Sequence, residues 1–512
     1  MLNDSYLIKT MKYLRLNLQE WFAGAAVWRV LFASICAGIL PGTIVAQAEK
    51  RPNILWIVAN DIGNELGCYG NKLIHTPNLD RLAGKGVAYR NMITAGAVCS
   101  PSRSAFITGM HAVSINCHNQ FPNKKTKLPD GITPLPLLMK AGGYYVANTG
   151  GVAMKGPYYT GYNFEHDPAA LYDGFDWSGR KEGQPFFAQV HLKLSHRPFE
   201  RDPERPINPD KVVVPPYYPN HPMARQDWAM YLETVQLLDK QVGAILQRLK
   251  DNGLEDNTVV FFFGDHGHPH IRGKQFLYDG GVNAPLIVAG PGIRKSGVSD
   301  RLVSNTDLAA ATLSLAGLRV PAFMQGRDFL QENSVPNTYV FSSRDRCDET
   351  LDRIRMVRTR EFKLIRNYFP ERPYTQFNAY KKTSYPVLTL MQVLKKRGEL
   401  TPVQAHFMAD TRPEYELYDL RKDPFETKNL AGDPSYAKQL NTLKQVLENW
   451  LAETDKGPYP ESAEEVSFAR AKMQKMYDDQ LTAAGLPKEV TDEQYLAYWE
   501  AVFRRFFPVK EH

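Results

Sequence analysis

Asn53-Ile54-Leu55-Trp56-Ile57-Val58-Ala59 is a short run, apolar after its first residue, that stops at Asn60-Asp61. A run this short, with β-branched members and no polar alternation, has no solvent-facing side, so it reads as a parallel strand buried on both faces. A second segment behaves the same way: Thr258-Val259-Val260-Phe261-Phe262-Phe263 breaks at Gly264-Asp265-His266-Gly267. Two core strands then each deliver an acidic residue at their carboxyl end, the edge where open α/β sheets bind ligands. Around them, segments with helical apolar spacing (78–85, 134–141, 225–251, 304–316) alternate with further strand candidates at 144–148, 186–192 and 285–289. The alternation predicts an α/β core: a large, mostly parallel sheet flanked by helices.

From about residue 337 the texture changes to short charged strands at 338–342, 354–359 and 362–366, followed by Tyr415-Glu416-Leu417-Tyr418-Asp419-Leu420. This predicts a smaller antiparallel-sheet subdomain over 337–455, a packing module after the α/β domain at 49–336. Residues 456–512 read as an amphipathic helical extension with aromatics including Trp499, Phe503 and Phe506, and no role is assigned to them. At the other end, scattered basic residues, an apolar run over 30–45 and Ala46-Gln47-Ala48 before Glu49-Lys50-Arg51 read as a secretory leader, 1–48. An uncleaved anchor is the competing reading, but Pro41 and Gly42 shorten the run below a bilayer span. The expectation is an exported protein, periplasmic or secreted, with no stable membrane insertion once the leader is removed.

With 43% hydrophobic and 11% aromatic residues in 512, the chain is long enough for a large core and is neither disordered nor fibrous. The net charge of +7 falls to +5 without the leader, whose four basic residues face two acidic ones. That mild excess suits an acidic substrate, and without a dense Lys/Arg block it argues against nucleic acid. Of the five cysteines, Cys36 lies in the leader. Cys68, Cys99, Cys117 and Cys347 imply no complete disulfide framework, and a Cys68 to Cys117 bridge stays open.

Cys99-Ser100-Pro101-Ser102-Arg103, followed by Ser104-Ala105-Phe106-Ile107-Thr108-Gly109, carries the chemistry. Ser100 is a good N-cap, Pro101 suits the first helical position and Gly109 is a C-terminal stop, so a helix is predicted just after Cys99. Its unpaired N–H groups and the Arg103 cation, one turn in, would face that side chain and favour an oxyanion there.

This stretch resembles the signature of type I sulfatases, in which the cysteine is oxidised to formylglycine; Ile107 stands where that family usually has Leu. The resemblance implies an alkaline-phosphatase/sulfatase-like fold and a maturation enzyme that generates formylglycine. The hydrated aldehyde has two geminal hydroxyls, one to attack sulfur and one to expel sulfate, an exit a plain thiolate lacks. It also implies a calcium ion held by Asp61 and Asp265, with Asn60 and His266 alongside. Asn60 replaces the family's usual aspartate and removes one negative charge, and imidazole is a poor ligand for a hard cation, so His266 is a candidate substrate contact as well. Lys274 matches the family position of a sulfate-contacting base, and His196 that of a substrate-side histidine suited to general-acid work. Where sulfatases usually show Gly-Lys-Trp-His, this chain has Asn148 through Lys155, and the candidates for the missing pair are Lys155 and His118.

Within the family, His196-Arg197-Pro198-Phe199, the Asp265 to Lys274 spacing, and Arg344-Asp345-Arg346 with Tyr368 to Tyr374 look most like the heparan N-sulfatase (sulfamidase) branch. That implies a sulfated glycan as substrate, with O–S or N–S cleavage. Two alternatives stay open: a phosphate or phosphonate ester hydrolase on the same fold, and a catalytically inactive relative that binds sulfated glycans.

Overall fold

The computed structural model describes residues 51–508 except 295, 296, 332 and 460, and all that follows concerns these residues. The expected leader, with Cys36, lies outside them. Strands β1 (Asn53–Ala59), β2 (Gly86–Ile93), β3 (Tyr145–Gly150), β4 (Phe186–Leu192), β5 (Thr258–Gly264), β6 (Asn283–Ala289) and β7 (Gly297–Ser304) form a sheet in the order β3-β4-β1-β5-β6-β2-β7. It is mostly parallel, with β6 running against both β5 and β2. β1 is buried along its whole length between β4 and β5, Ala59 lying opposite Leu192 and Gly264.

That register brings the ends of β1 and β5 level, so Asn60-Asp61 and Asp265-His266 leave the sheet side by side. Asp265 N donates to Ala59 O at 3.0 Å and Asp61 N to Asp265 Oδ1 at 2.9 Å. The two sheet faces build two apolar layers. On one, Trp56 packs edge-on against Phe187 (5.1 Å) and Phe263 (5.3 Å) with Phe106 and Leu308 of the helices Cys99–Thr108 and Asp307–Leu315. On the other, Leu55 and Ile57 share a cluster with Val235, Leu238 and Val242 of the 30-residue helix Pro222–Asp251.

A second, antiparallel sheet has the order β11-β10-β9-β8, from β8 (Val340–Arg344), β9 (Ile354–Arg358), β10 (Phe362–Asn367) and β11 (Tyr415–Asp419). Met356, Ile365 and Tyr418 belong to the same apolar cluster as Leu55 and Ile57, while Val357, Leu364 and Leu417 pack on Leu443, Leu447 and Trp450 of the helix Ala437–Thr454. The extension forms two helices, Ala463–Ala483 and Asp492–Phe506. Cys68, Cys99, Cys117 and Cys347 are free, so the Cys68 to Cys117 bridge is not formed.

Asp455, the C-cap of the helix Ala437–Thr454 and the last residue before that extension, is tied to β9. It accepts from Arg355 Nε at 2.9 Å and Arg353 Nη2 at 3.0 Å. Burial works to raise the Asp455 pKa, but the Arg355 and Arg353 cations and the Tyr459 hydroxyl outweigh it and set it at about 2. A folded value below the unfolded one stabilises fully above about pH 4, and that contribution is lost as pH falls through 2. Asp455→Ala is expected to destabilise by about 2 kcal/mol near neutral pH, less than for a fully stranded buried charge because a second carboxylate remains. That second partner is Asp345, 3.1 Å from Arg355 Nη2. Denaturant melts at pH 7, 4 and 3 check this: the gap to wild type is expected to be full at pH 7, slightly reduced at pH 4 and clearly narrower at pH 3.

Candidate active site

The helix Cys99–Thr108 begins two residues earlier than Ser100 capping predicts. Its N-cap is Val98, with no side-chain cap, and Cys99 is the first helical residue. The reason lies outside the local sequence. Ser100 Oγ donates to Gln120 Oε1 at 3.0 Å and accepts Phe121 N–H at 3.0 Å, so it pins a distant loop instead of capping its own helix. Gly109 closes the helix as expected, in the left-handed region at φ 67°. The result places the Cys99 side chain at the positive end of a buried helix, facing the ends of β1 and β5.

Cys99 Sγ lies 3.3 Å from His266 Nε2 and 3.7 Å from Asp61 Oδ1. His266 Nε2 is in turn 3.1 Å from Asp61 Oδ1 and 3.7 Å from Asp265 Oδ1. Donor atoms of these four buried residues all fall within 4.8 Å of one another, a set with the size and chemistry of a divalent-cation site. Their outward oxygens are held by cations: Lys274 Nζ meets Asp61 Oδ2 at 2.7 Å, and Arg103 Nε and Nη2 meet Asp265 Oδ2 at 3.1 and 3.0 Å. This leaves Asp61 Oδ1 and Asp265 Oδ1 turned inward. Burial alone would raise the Asp61 pKa, but Lys274, His196 and His266 outweigh it and hold the carboxyl well below its ordinary range. Burial likewise disfavours charge on His266, and Asp265 and Asp61 prevail to raise it well above the usual histidine value.

His196 stands at the rim, its Nδ1–H donating to Arg197 O at 2.7 Å and its Nε2 3.9 Å from Asp61 Oδ2. Asp61 raises its pKa, but burial and Lys274 together prevail, so His196 sits below the ordinary value. Asn60 Oδ1 accepts from Arg103 Nη2 at 2.6 Å, which engages the oxygen expected to serve the metal.

Two of the expected residues are not brought to this pocket. Lys155 is exposed and is not among the residues lining the Cys99 pocket, and His118 is buried against Tyr459 at 5.1 Å, likewise outside that pocket. The loop after β3 is irregular and sends in Tyr158 instead, whose ring stacks on His191 at 4.5 Å and which lines the pocket beside Asn60. His191 accepts from Arg103 Nη1 at 2.9 Å and donates to Asn148 Oδ1 at 2.9 Å. Gly161, at φ 72°, lets this loop pass Arg103, since a Cβ there would lie 3.1 Å from Arg103 Cδ. Lys155→Ala is accordingly expected to change kcat/KM less than twofold, whereas a loss above tenfold would return Lys155 to the site.

The pocket over Cys99 measures about 170 Å³ and is lined by Arg103, Gln120, Tyr158, His196, Lys274, Asp348 and Tyr380, among others. A larger cleft of about 600 Å³ lies at the opposite end of β5, beside Thr258 and Gly290, and holds none of this chemistry. Gln120, Tyr158, Asp348 and Tyr380 were not legible as site residues. They reach Cys99 from segments remote in the chain, and the one local signal is the left-handed φ of 53° at Asp348, a conformation that only folding reveals.

The sulfatase family profile matches residues 52–318, and the profile of the N-sulphoglucosamine sulphohydrolase C-terminal domain matches 264–384. An ulvan-active sulfatase of Formosa agariphila is 34% identical over 472 residues, covering 81% of this chain and 77% of its own. Human N-sulphoglucosamine sulphohydrolase is 29% identical over 484 residues, covering 82% and 93%. The crystal structure of a phosphonate monoester hydrolase of Agrobacterium radiobacter superposes with a TM-score of 0.58 at 19% identity, covering 79% and 96%, a likeness of fold alone.

Proposed function

Because this chain belongs to the type I sulfatase family, on its sulfamidase-like branch, and is a sulfuric ester hydrolase, we propose that it removes sulfate from sulfated sugars by O–S or N–S cleavage. The observation that carries the reading is the convergence of Cys99 Sγ, Asp61, Asp265 and His266 beneath a pocket that also holds Lys274, Arg103 and His196. The relatives named for ulvan and for N-sulphoglucosamine support a sulfated glycan as the substrate class.

Formylglycine at position 99 would supply a geminal diol, one hydroxyl as nucleophile and the second to release sulfate. A divalent cation, calcium on family grounds, would be held by Asp61, Asp265 and His266 and would neutralise the sulfate oxygens. The remaining work belongs to side chains. Arg103 fixes Asp265 and Asn60, so both stay oriented when substrate enters. Lys274 is buried with its ammonium against Asp61 and adds fixed positive charge on the pocket wall. His196 keeps its Nδ1 on a carbonyl and turns Nε2 toward the pocket, where a proton on Nε2 can pass to the leaving oxygen or nitrogen. The negative sulfate ester, once bound, favours that protonated form. Export through the 1–48 leader completes the reading; no helix among the described residues is long and apolar enough to cross a membrane.

Mass spectrometry of the peptide spanning Cys99, from a maturation-competent host, tests the nucleophile. An aldehyde or its hydrate is expected; unmodified cysteine in a host that converts a control sulfatase would overturn the assignment.

A further inference from the structure

Beside the Cys99 pocket runs a second groove of about 330 Å³, which shares Phe121 and Tyr159 with that pocket and takes its outer wall from Phe468 and Lys472 of the helix Ala463–Ala483. Resting on the proposed function, we infer that this groove is a second saccharide subsite, which holds the neighbouring, anionic sugar of an oligosaccharide whose scissile sulfate lies over Cys99.

Three observations carry it. The first is composition: Phe121, Tyr159 and Phe468 are 36%, 64% and 39% exposed, and all three line this one groove. Large aromatic rings left in solvent beside a catalytic pocket offer flat apolar surfaces to the C–H faces of a sugar ring, with a few polar groups fixing its orientation.

The second is charge. Lys125 Nζ lies 6.0 Å over the Tyr159 ring and Lys472 Nζ 6.0 Å over the Phe468 ring. Among the described residues neither ammonium has a carboxylate within ion-pair distance, while the adjacent Lys124 is paired with Glu464 at 3.0 Å. Each lysine therefore stands next to an aromatic platform with its charge unanswered, the pairing that a sulfate or carboxylate on the stacked sugar would complete. Burial pushes the Lys125 pKa down, a shift that a bound anion would oppose.

The third is construction. The loop carrying Phe121 and Lys125 is anchored on both sides: Phe121 N–H donates to Ser100 Oγ of the nucleophile helix, and Asn123 and Lys124 N–H donate to Glu465 at 2.7 and 3.0 Å. Glu465 sits in the first turn of the extension helix, and Glu461, just before it, receives Arg346 Nε at 2.5 Å and Nη2 at 3.0 Å. One loop thus couples the nucleophile helix to the C-terminal extension. The role of that extension is to wall the groove and place Phe468 and Lys472 across from Tyr159.

The test compares wild type with Lys472→Gln and Phe468→Ala in the full-length, matured protein. Sulfate release is followed from a sulfated glucosamine monosaccharide and from a heparin-derived tetrasaccharide. Both variants are expected to lose about tenfold in kcat/KM on the tetrasaccharide, through KM, and to stay within twofold of wild type on the monosaccharide. Equal losses on both substrates, or no loss on either, would overturn the subsite. If wild type releases sulfate from neither, the proposed function fails, and the groove is judged by calorimetric binding of the same tetrasaccharide to Cys99→Ala protein. There Lys472→Gln is expected to weaken Kd about tenfold, and an unchanged Kd would overturn the inference.

Discussion

Cys99→Ala is expected to abolish sulfate release, by about 10⁴-fold or more, while the protein melts within a few degrees of wild type. The asymmetry follows from what Cys99 touches. Its sulfur contacts His266 and Asp61 within the site, and it makes no disulfide. Loss of one small side chain at a pocket floor opens little void, so the stability change should stay near 1 kcal/mol. The chemistry has no substitute, because no other thiol or hydroxyl lines the same pocket beside both aspartates; Tyr158, Tyr159 and Tyr380 supply only phenols at its walls. Cys99→Ser sharpens the test. A serine oxygen can form one bond to sulfur but has no second hydroxyl to break it, so at most one equivalent of sulfate should be transferred to the protein, visible by intact mass. Continued turnover by either variant would remove Cys99 from the nucleophile role.

Asp61→Asn should be the most damaging change to the proposed metal site, lowering turnover about a thousandfold and bound metal from near one equivalent to near none. Asp61 is the hub: it accepts Lys274 Nζ at 2.7 Å, lies 3.1 Å from His266 Nε2 and 3.7 Å from Cys99 Sγ. Because residue 60 is already an asparagine, the substitution leaves Asp265 as the one carboxylate among the four converging donors. It also strands Lys274, 4% exposed, with no anionic partner, so a stability loss of about 3 kcal/mol should accompany the metal loss. Metal analysis after dialysis and thermal melts separate the two effects. Full metal occupancy with normal rates would show that Asp61 serves only to neutralise Lys274.

How far the chain could be read before its structure is clearest at β1 and β5. Both are buried throughout, apolar after the first residue and neighbours in the sheet, so the two breaks at Asp61 and Asp265 fall together at one sheet edge. β2 and β7 escaped notice for the opposite reason. Arg90 and Asn91 interrupt β2, and the first five residues of β7, an edge strand, are exposed or only partly buried, so neither carries a buried-strand pattern. Ser100 does not cap its helix because its hydroxyl serves a loop twenty residues away, and Lys155 lies outside the pocket because the irregular segment that carries it presents Tyr158 there. Residues such as Tyr380 and Asp348 come from beyond the first sheet and have no local periodicity that relates them to Cys99. Short-range pattern reports burial, and burial located the sheet edge; the pocket walls are long-range contacts.

The most direct measurement is the steady-state release of sulfate from N-sulfated and O-sulfated glucosamine, beside release of phosphate from the matching glucosamine phosphate, using protein whose Cys99 conversion has been verified. The account predicts turnover of at least one sulfated sugar, with kcat/KM exceeding that of the phosphate ester by about a hundredfold or more. A preference for the phosphate, or tight binding of sulfated sugars without turnover by fully converted protein, would contradict it.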